Sequence, residues 1–443
     1  MKKTYLLILS FLFTFHLSTF AQDIVDEEED TDEQEIVYDE EETTAPTDSV
    51  GIDLPEGLTE SVDSLLNLYH VQNNLEMPSD CNFPDVNPSY DTLTYVNRLQ
   101  QLPTVMEMSH NSVVQQFIDR YANRLRRTVS IMLGAQNFYM PIFEEALESY
   151  GLPLELKYLP VIESALNPNA VSRVGATGLW QFMLTTGRQY GLEVNSLVDE
   201  RRDPIKASHA AARYLRDLYR IFGDWNLVIA AYNCGPNNIN KAIHRAGGKT
   251  DYWEIYSYLP RETRGYVPAF IAANYIMNYY CEHNICPMQT NLPAQTDTIM
   301  LSRDVHFEQI AQVLGMDIRQ IRELNPQYRR DIINGATKPS VLKLPVNQVN
   351  NFIDHEADIY AYRADELLTK RSTVVIPNDV PQYSSKSHKR GRSRGRGRRT
   401  VTVRSGQTLS QIAARNHTTV AKLRRLNGIK GSNIRAGKKL RVR

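Results

Sequence analysis

The feature that most constrains the fold is an internal repeat in the last third of the chain. Sliding the C-terminus back by 102 residues sets Val401 on Ile299, Leu409 on Phe307, Gln411-Ile412-Ala413 on Gln309-Ile310-Ala311, Val420 on Ile318, Leu423 on Ile321 and Leu426-Asn427 on Leu324-Asn325. After a four-residue gap, Leu440-Arg441-Val442 falls on Leu342-Lys343-Leu344. Each copy reads strand, helix, helix, strand in fewer than 50 residues, so 297–346 and 400–443 are expected to be two copies of one small α+β (βααβ) module.

Charge divides the rest. Net charge is −1, but residues 22–97 hold no Lys or Arg, while from Lys386 onward there are 19 Lys and Arg and no Asp or Glu. Segregation of this kind marks solvated or partner-seeking tails around a balanced middle. Residues 22–94 are expected to be an acidic, largely disordered segment, because the runs Asp26–Asp30 and Asp39–Glu42 leave little apolar surface to offset the entropy of ordering. Residues 347–399 read as a linker, its basic Arg/Gly/Ser stretch at 383–399 extended by self-repulsion. A length of 443 residues and a hydrophobic fraction of 42% suit about three globular domains and exclude collagen, a coiled coil or a multispan membrane protein.

Lys2 and Lys3, an apolar run from Tyr5 to Phe20 and the Thr19-Phe20-Ala21 end read as a secretory signal over 1–21. The expectation is an exported protein of the periplasm or cell envelope with no transmembrane helix after cleavage. Export permits disulfides. Cys81, Cys234, Cys281 and Cys286 allow three complete pairings, a local Cys281–Cys286 bridge among them, and the sequence selects none. No His stands at zinc spacing around them, so neither metal nor cofactor is expected.

Between 95 and 290 the punctuation is helical. Asp203 caps and Pro204 opens a helix whose apolar face runs Ala207, Ala211, Tyr214, Leu215, Leu218, Phe222 and stops at Gly223. Asp224 caps the next, which Gly235-Pro236 ends, and another runs from about Asn238 to Ala246 before Gly247-Gly248. The chain is expected to be mainly α in this region. Three constellations could carry chemistry. Tyr158–Ser164 is an apolar helix ending in Glu163, whose desolvation would favour the protonated acid. Gly175–Phe182 is a glycine-bearing turn offering the Trp180 ring and the Gln181 amide. Ala230–Gly235 delivers the Tyr232 phenol and the Asn233 amide. Taken singly, each is equally a helix end or a core aromatic.

In this order, Glu163-Ser164, Gly178-Leu179-Trp180-Gln181, Ala231-Tyr232-Asn233-x-Gly235 and Arg264-Gly265-Tyr266-Val267 resemble the motif series of the lytic transglycosylases of glycoside hydrolase family 23. The Leu-Pro-Val-Ile-Glu-Ser wording, the Asp199–Pro204 segment and the C-terminal modules look most like the membrane-bound lytic murein transglycosylase D group. Residues 400–443 resemble a LysM module through Val403-x-x-Gly406-x-Thr408-Leu409 and Leu426-Asn427. The first copy looks like a degenerate LysM, since Asp304-Val305 stands where Gly406-Gln407 would align.

The resemblance implies a lysozyme-like catalytic domain at 95–290 that cuts the β-1,4 bond between N-acetylmuramic acid and N-acetylglucosamine of peptidoglycan, leaving 1,6-anhydro ends. Glu163 would be the single catalytic acid. Ser164, Gly178, Trp180 (where many members carry Met), Gln181, Tyr232, Asn233 and Tyr266 would line the substrate site, and Gly406, Thr408, Leu409 and Asn427 would bind glycan in the LysM module. Of the other acids, Asp203 reads as a helix cap and Glu262 as a solvated helix start. A hydrolytic muramidase and a non-catalytic wall-binding scaffold are the alternatives on the same polymer. The basic stretch at 389–399 also looks like a nucleic-acid tail, but it lacks interleaved aromatics and follows an export signal, so contact with anionic envelope polymers is the better expectation.

Overall fold

The computed structural model describes residues 53–69, 81–372 and 400–442, apart from 404–406, 417, 430, 432, 433 and 436. The signal segment, the acidic runs before residue 53, the Arg/Gly/Ser stretch and Gly406 lie outside the described residues. The chain divides into two units, 1–378 and 379–443.

The first unit begins with a tight turn of helix, Glu56–Thr59, and α1 (Val62–Leu68). Then follow α2 (Thr92–Gln100), α3 (Ser112–Asp119), α4 (Arg126–Glu148), α5 (Leu159–Ser164), α6 (Leu184–Gln189), α7 (Pro204–Phe222), α8 (Trp225–Cys234), α9 (Pro236–Arg245), α10 (Tyr252–Ile255) and α11 (Arg261–Asn278). The expected punctuation is present. The Asp203 side chain accepts from the Ile205 and Lys206 amides and Gly223 closes α7 in the left-handed region, while Asp224 caps α8. Helix α7 packs on α4, α11 on α3 and α5, and α8 on α7 and α11, around one core in which Leu215, Val228, Phe143 and Phe270 are fully buried. Each such side chain contributes about 1.5–3 kcal/mol. Among the described residues no helix is long and apolar enough to cross a membrane.

Part of the segment expected to be disordered is instead structured. Leu58, Leu65, Leu66 and Tyr69 are buried in the main core, because Leu54 to Tyr69 carries an apolar helical face that the acidic average conceals. Residues 81–91 are fastened by a Cys81–Cys286 disulfide, by a 2.7 Å bond between Asn87 and the buried His283, and by the Tyr90 hydroxyl donating to the Glu282 carbonyl at 2.6 Å. The local Cys281–Cys286 bridge is not formed; Cys234 and Cys281 are free.

The first module has two strand pairs rather than one. β1 (Thr296–Leu301) pairs antiparallel with β4 (Ser340–Pro345), and β2 (Asp304–His306) with β3 (Ile332–Asn334). Between them run α12 (Phe307–Leu314) and α13 (Ile318–Leu324). The linker expected from 347 onward starts later. Helices α14 (Val346–Asp354), α15 (Glu356–Ala361) and α16 (Ala364–Leu367) fold back, and Phe352, Ile359 and Tyr360 complete the module's core.

The second unit contains β5 (Thr400–Thr402), α17 (Leu409–Arg415), α18 (Val420–Asn427) and β6 (Lys439–Arg441), with β5 and β6 antiparallel. The repeat holds down to single bonds. His306 and Thr408 each cap the first helix of their module in a reciprocal box with Gln309 and Gln411.

Candidate active site

Helix α5 is short for a local reason. Ala165 and Leu166 both take positive φ, 49° and 61°, conformations that cost a non-glycine residue about 1–2 kcal/mol each and stop the helix directly after Ser164. Glu163 is thereby set at a helix end, facing a cavity of about 340 Å³ lined by Gln181, Phe182, Tyr232, Asn233, Glu262 and Tyr266 among others. Gln181 is a third left-handed residue, with φ 47°. Of these three, Gln181 lines the cavity, while Ala165 and Leu166 directly follow the helix that carries Glu163.

Tyr266 comes from α11, is 1% exposed, and donates its hydroxyl hydrogen bond to Glu163 Oε1. Desolvation pushes the Glu163 carboxyl up to about 8; the Tyr266 bond opposes that rise, and the charges of Glu262 and Glu56 add to it. The acid therefore keeps its proton at neutral pH, the condition a general acid requires. Tyr232 donates to the Trp180 carbonyl at 2.7 Å, and Asn233 accepts from the Thr263 hydroxyl at 2.8 Å and reaches Glu262 at 3.4 Å. Gln181 spends its Nε2 on the Gly178 carbonyl at 2.8 Å, which leaves Oε1 buried without a partner beside the cavity. An acceptor in that state is suited to a ligand N–H or O–H.

Three expected site residues stand behind the cleft rather than in it. Trp180 is 0% exposed, packs edge-on against Phe143 at 5.3 Å and donates Nε1–H to Ser208 Oγ at 2.9 Å, so its ring offers no sugar a surface. Ser164 is equally buried; its hydroxyl joins the Pro160 carbonyl at 3.0 Å to the Leu179 carbonyl at 2.9 Å, tying α5 to the glycine turn. At Gly178, φ is +88° and a β-carbon would stand 1.9 Å from the Arg201 carbonyl oxygen, so its close approach is to the chain itself.

That approach leads to the loop 193–203. The Asp199–Arg201 ion pair (2.9 Å) is buried, and Arg201 Nη1 donates to the Gly175 and Phe182 carbonyls at 3.0 and 3.1 Å. Asp199 therefore holds the wall of the cleft from behind. Asp203 is the helix cap it was expected to be. Glu262, exposed at the start of α11 as expected, also lines the cavity rim.

In the second module Leu409 is 3% exposed and belongs to the core, which removes it from any binding surface. Thr408 is engaged as a helix cap. Asn427 donates to the Leu423 and Arg441 carbonyls at 2.8 and 2.9 Å and accepts from the Arg441 amide at 2.7 Å, so its side chain joins α18 to β6.

Sequence reasoning missed Pro55 and Glu56, which also line the cavity. The signal was present in Gly57, where a β-carbon would stand 2.6 Å from the Ile162 carbonyl oxygen. Among the described residues no cluster of three or more His, Cys, Asp or Glu is placed to hold a metal ion.

Three known domains match this chain in order. The transglycosylase SLT domain covers residues 140–255, the LysM-like domain of lytic transglycosylase MltD covers 295–361, and the LysM domain covers 401–443. The chain is 29% identical to membrane-bound lytic murein transglycosylase D of Escherichia coli (strain K12) over 341 residues, 76% of this chain and 70% of the relative. It is 32% identical to the soluble lytic murein transglycosylase of the same strain over 143 residues, 31% of this chain and 21% of the relative. The crystal structure of the 70 kDa soluble lytic transglycosylase of Escherichia coli aligns over 40% of this chain and 33% of that one at 23% identity, with a TM-score of 0.30. In domain content and order the chain is a relative of the lytic murein transglycosylases, an SLT catalytic domain followed by an MltD-type LysM-like domain and a LysM domain.

Proposed function

We propose that the chain cleaves the β-1,4 bond between N-acetylmuramic acid and N-acetylglucosamine in peptidoglycan by lytic transglycosylation. The observation that carries this reading is Glu163, an acid at the floor of the cleft that holds its proton at neutral pH and is oriented by Tyr266. With Oε1 accepting from Tyr266, the proton of Glu163 resides on Oε2 and passes to the glycosidic oxygen as the bond breaks. The carboxylate so formed takes the proton of the muramic acid 6-hydroxyl, whose oxygen closes the 1,6-anhydro ring. No water is consumed, and the tethered nucleophile acts at high effective concentration. The buried Oε1 of Gln181 and the amide of Asn233 suit the N–H and O–H groups of the sugar. The LysM module, with basic residues and no carboxylates, supports an exported enzyme held at the wall, its basic stretch meeting anionic envelope polymers.

A second reading has a specific basis. Glu56 and Glu262 share the cavity with Glu163, and a hydrolytic muramidase uses a second carboxylate to activate water or attack the sugar.

Mass spectrometry of the products released from purified peptidoglycan decides between them. Anhydro-ended muropeptides, lighter by one water, support transglycosylation; reducing ends make the protein a hydrolase. Glu163→Gln should lower turnover by about a hundred- to ten-thousand-fold. Because burial raises the folded-state value, the stability that Glu163 contributes is fully present below 4.5 and is lost as pH rises through about 8. The Gln variant does not ionise, so its melting temperature should exceed that of the wild type at pH 8 and converge with it near pH 4.5.

A further inference from the structure

We propose that the N-terminal segment is a working part of the catalytic site, with Glu56 a positioning residue whose charge holds the proton of Glu163 in place. This rests on the reading of Glu163 as the acid of the reaction.

The segment is built onto the catalytic helix. The turn Glu56–Thr59 lies against α5 so closely that Gly57 has no room for a side chain, its β-carbon position being 2.6 Å from the Ile162 carbonyl oxygen and 2.8 Å from that of Val161. Leu58 and, further on, Leu65, Leu66 and Tyr69 anchor it in the main core. The Tyr69 hydroxyl donates to the Leu166 carbonyl, one of the two left-handed residues that end α5. The segment thus grips the catalytic helix at its middle and just past its end, and Pro55 and Glu56 are left lining the cleft.

There Glu56 is half-buried and faces Ser172 and Arg173 of the 170s loop, Glu60 of its own segment and Glu262 of α11. Glu163 faces Tyr266 and Glu262 from α11, Tyr232 from α8 and Glu56 from the N-terminal segment. Like charges within one small cavity disfavour simultaneous ionisation. Once Glu56 is ionised, removing the proton from Glu163 creates a second anion beside it. Glu262, exposed at the start of α11, acts in the same sense with the larger charge effect, and Glu56 adds to it from the N-terminal segment. Burial is what chiefly raises the Glu163 carboxyl; on top of it the Tyr266 bond favours the carboxylate while the charges of Glu262 and Glu56 oppose it.

The test is the pH profile of peptidoglycan turnover for the full-length chain and its Glu56→Gln variant, which keeps the shape and removes the charge. The alkaline limb should move toward acid by about half a unit to one unit, so that the ratio of turnover at pH 8 to turnover at pH 5.5 falls about two- to sixfold. Gly57→Val, which drives the segment off α5, should move the limb in the same direction. A limb that stays where it was, whether or not overall turnover drops, would overturn the proposal, because a merely structural residue scales the whole profile. Near-complete loss at every pH in a folded Glu56→Gln variant would also overturn it, by making Glu56 a reacting group of a hydrolase. Product analysis separates the two levels: anhydro products with an unmoved limb would leave the reading of Glu163 standing and remove only the role of Glu56.

Discussion

The two copies of the C-terminal module share one internal design and differ in what surrounds it. Asn325 repeats Asn427, donating to the Ile321 and Lys343 carbonyls and accepting from the Lys343 amide, as Asn427 does with Leu423 and Arg441. The second copy rests on a small core of Val403, Leu409, Ile412, Ala413, Leu423, Leu440 and Val442. The first is enlarged by Phe352, Ile359 and Tyr360 and is joined to the catalytic domain through the loop after α13. The Asp199 amide donates to the Gln327 carbonyl at 2.8 Å, the Arg329 amide to the Leu197 carbonyl at 2.7 Å, and Lys338 pairs with Glu193 at 3.0 Å. Where the second copy has Gly406, the first has Asp304, whose carboxylate accepts from the Ala336 amide at 3.0 Å. The first copy is thus built into the catalytic unit, while the departure at Asp304 is taken up inside the module itself.

The largest expected effect comes from cutting the seam on the catalytic side. Arg201 stands between the loop that meets the first module and the Gly175 and Phe182 carbonyls of the cleft wall. Arg201→Ala leaves Asp199 buried and unpaired, a loss of about 3–5 kcal/mol. Thermal unfolding should register it in the first unit, turnover should fall with it, and the binding of the second copy to purified sacculi should not change. Unaltered turnover in the folded variant would show that the seam does not reach the cleft.

The same substitution made in both copies sharpens the comparison at smaller scale. Asn→Ala at either position removes the side chain that bonds both the carbonyl and the amide of the last strand, at about 1–3 kcal/mol for each group left buried without a partner and less for the exposed groups of Arg441. Asn325 is 0% exposed but is backed by the larger core, so Asn325→Ala should lower the melting temperature of the first unit without unfolding it. A module as small as 400–443 has little stability in reserve. Asn427→Ala should therefore abolish sedimentation with sacculi while turnover of short soluble glycans persists. Equal loss of binding from the two variants would mean that the first copy also holds the wall.

How much of this was legible beforehand depended on whether a residue's task was local. The caps at Asp203 and Asp224, the stop at Gly223 and the repeat register are written in neighbouring residues, and the structure shows each of them. Motif spacing brought Glu163, Gln181, Tyr232, Asn233 and Tyr266 to one cavity. What motif spacing does not encode is which side of the wall a residue takes. Trp180 and Ser164 belong to the same run of motifs as Gln181 and Glu163, yet they face the core, because the left-handed turns at Ala165 and Gln181 redirect the chain within one residue. Glu56 was invisible for a different reason. Its place is set by a backbone contact at Gly57 with a helix more than a hundred residues away, and the acidic composition around it pointed toward disorder.

The smallest expected effect concerns pH and separates the copies by one aligned position. Glu323 on α13 falls where the second copy has Arg425. It is 6% exposed, and its charge is felt by Tyr69 and Tyr139 of the catalytic domain. Desolvation, helped by Asp317 and opposed by Arg319, pushes its carboxyl up to about 8. For an acid raised in the folded state, stability is fully present below 4.5 and is lost as pH rises through about 8. The first unit should therefore weaken between about pH 4.5 and pH 8, by on the order of 1 kcal/mol once solvent screening is allowed for. The second copy, with no carboxylate between Lys386 and the chain end, should lack that slope. Melting temperature against pH is best followed in a Glu163→Gln background, so that the titration of Glu163 contributes nothing. Glu323→Gln should flatten the curve of the first unit toward that of the second. A slope that survives the substitution would place the pH sensitivity elsewhere than in the seam between module and catalytic domain.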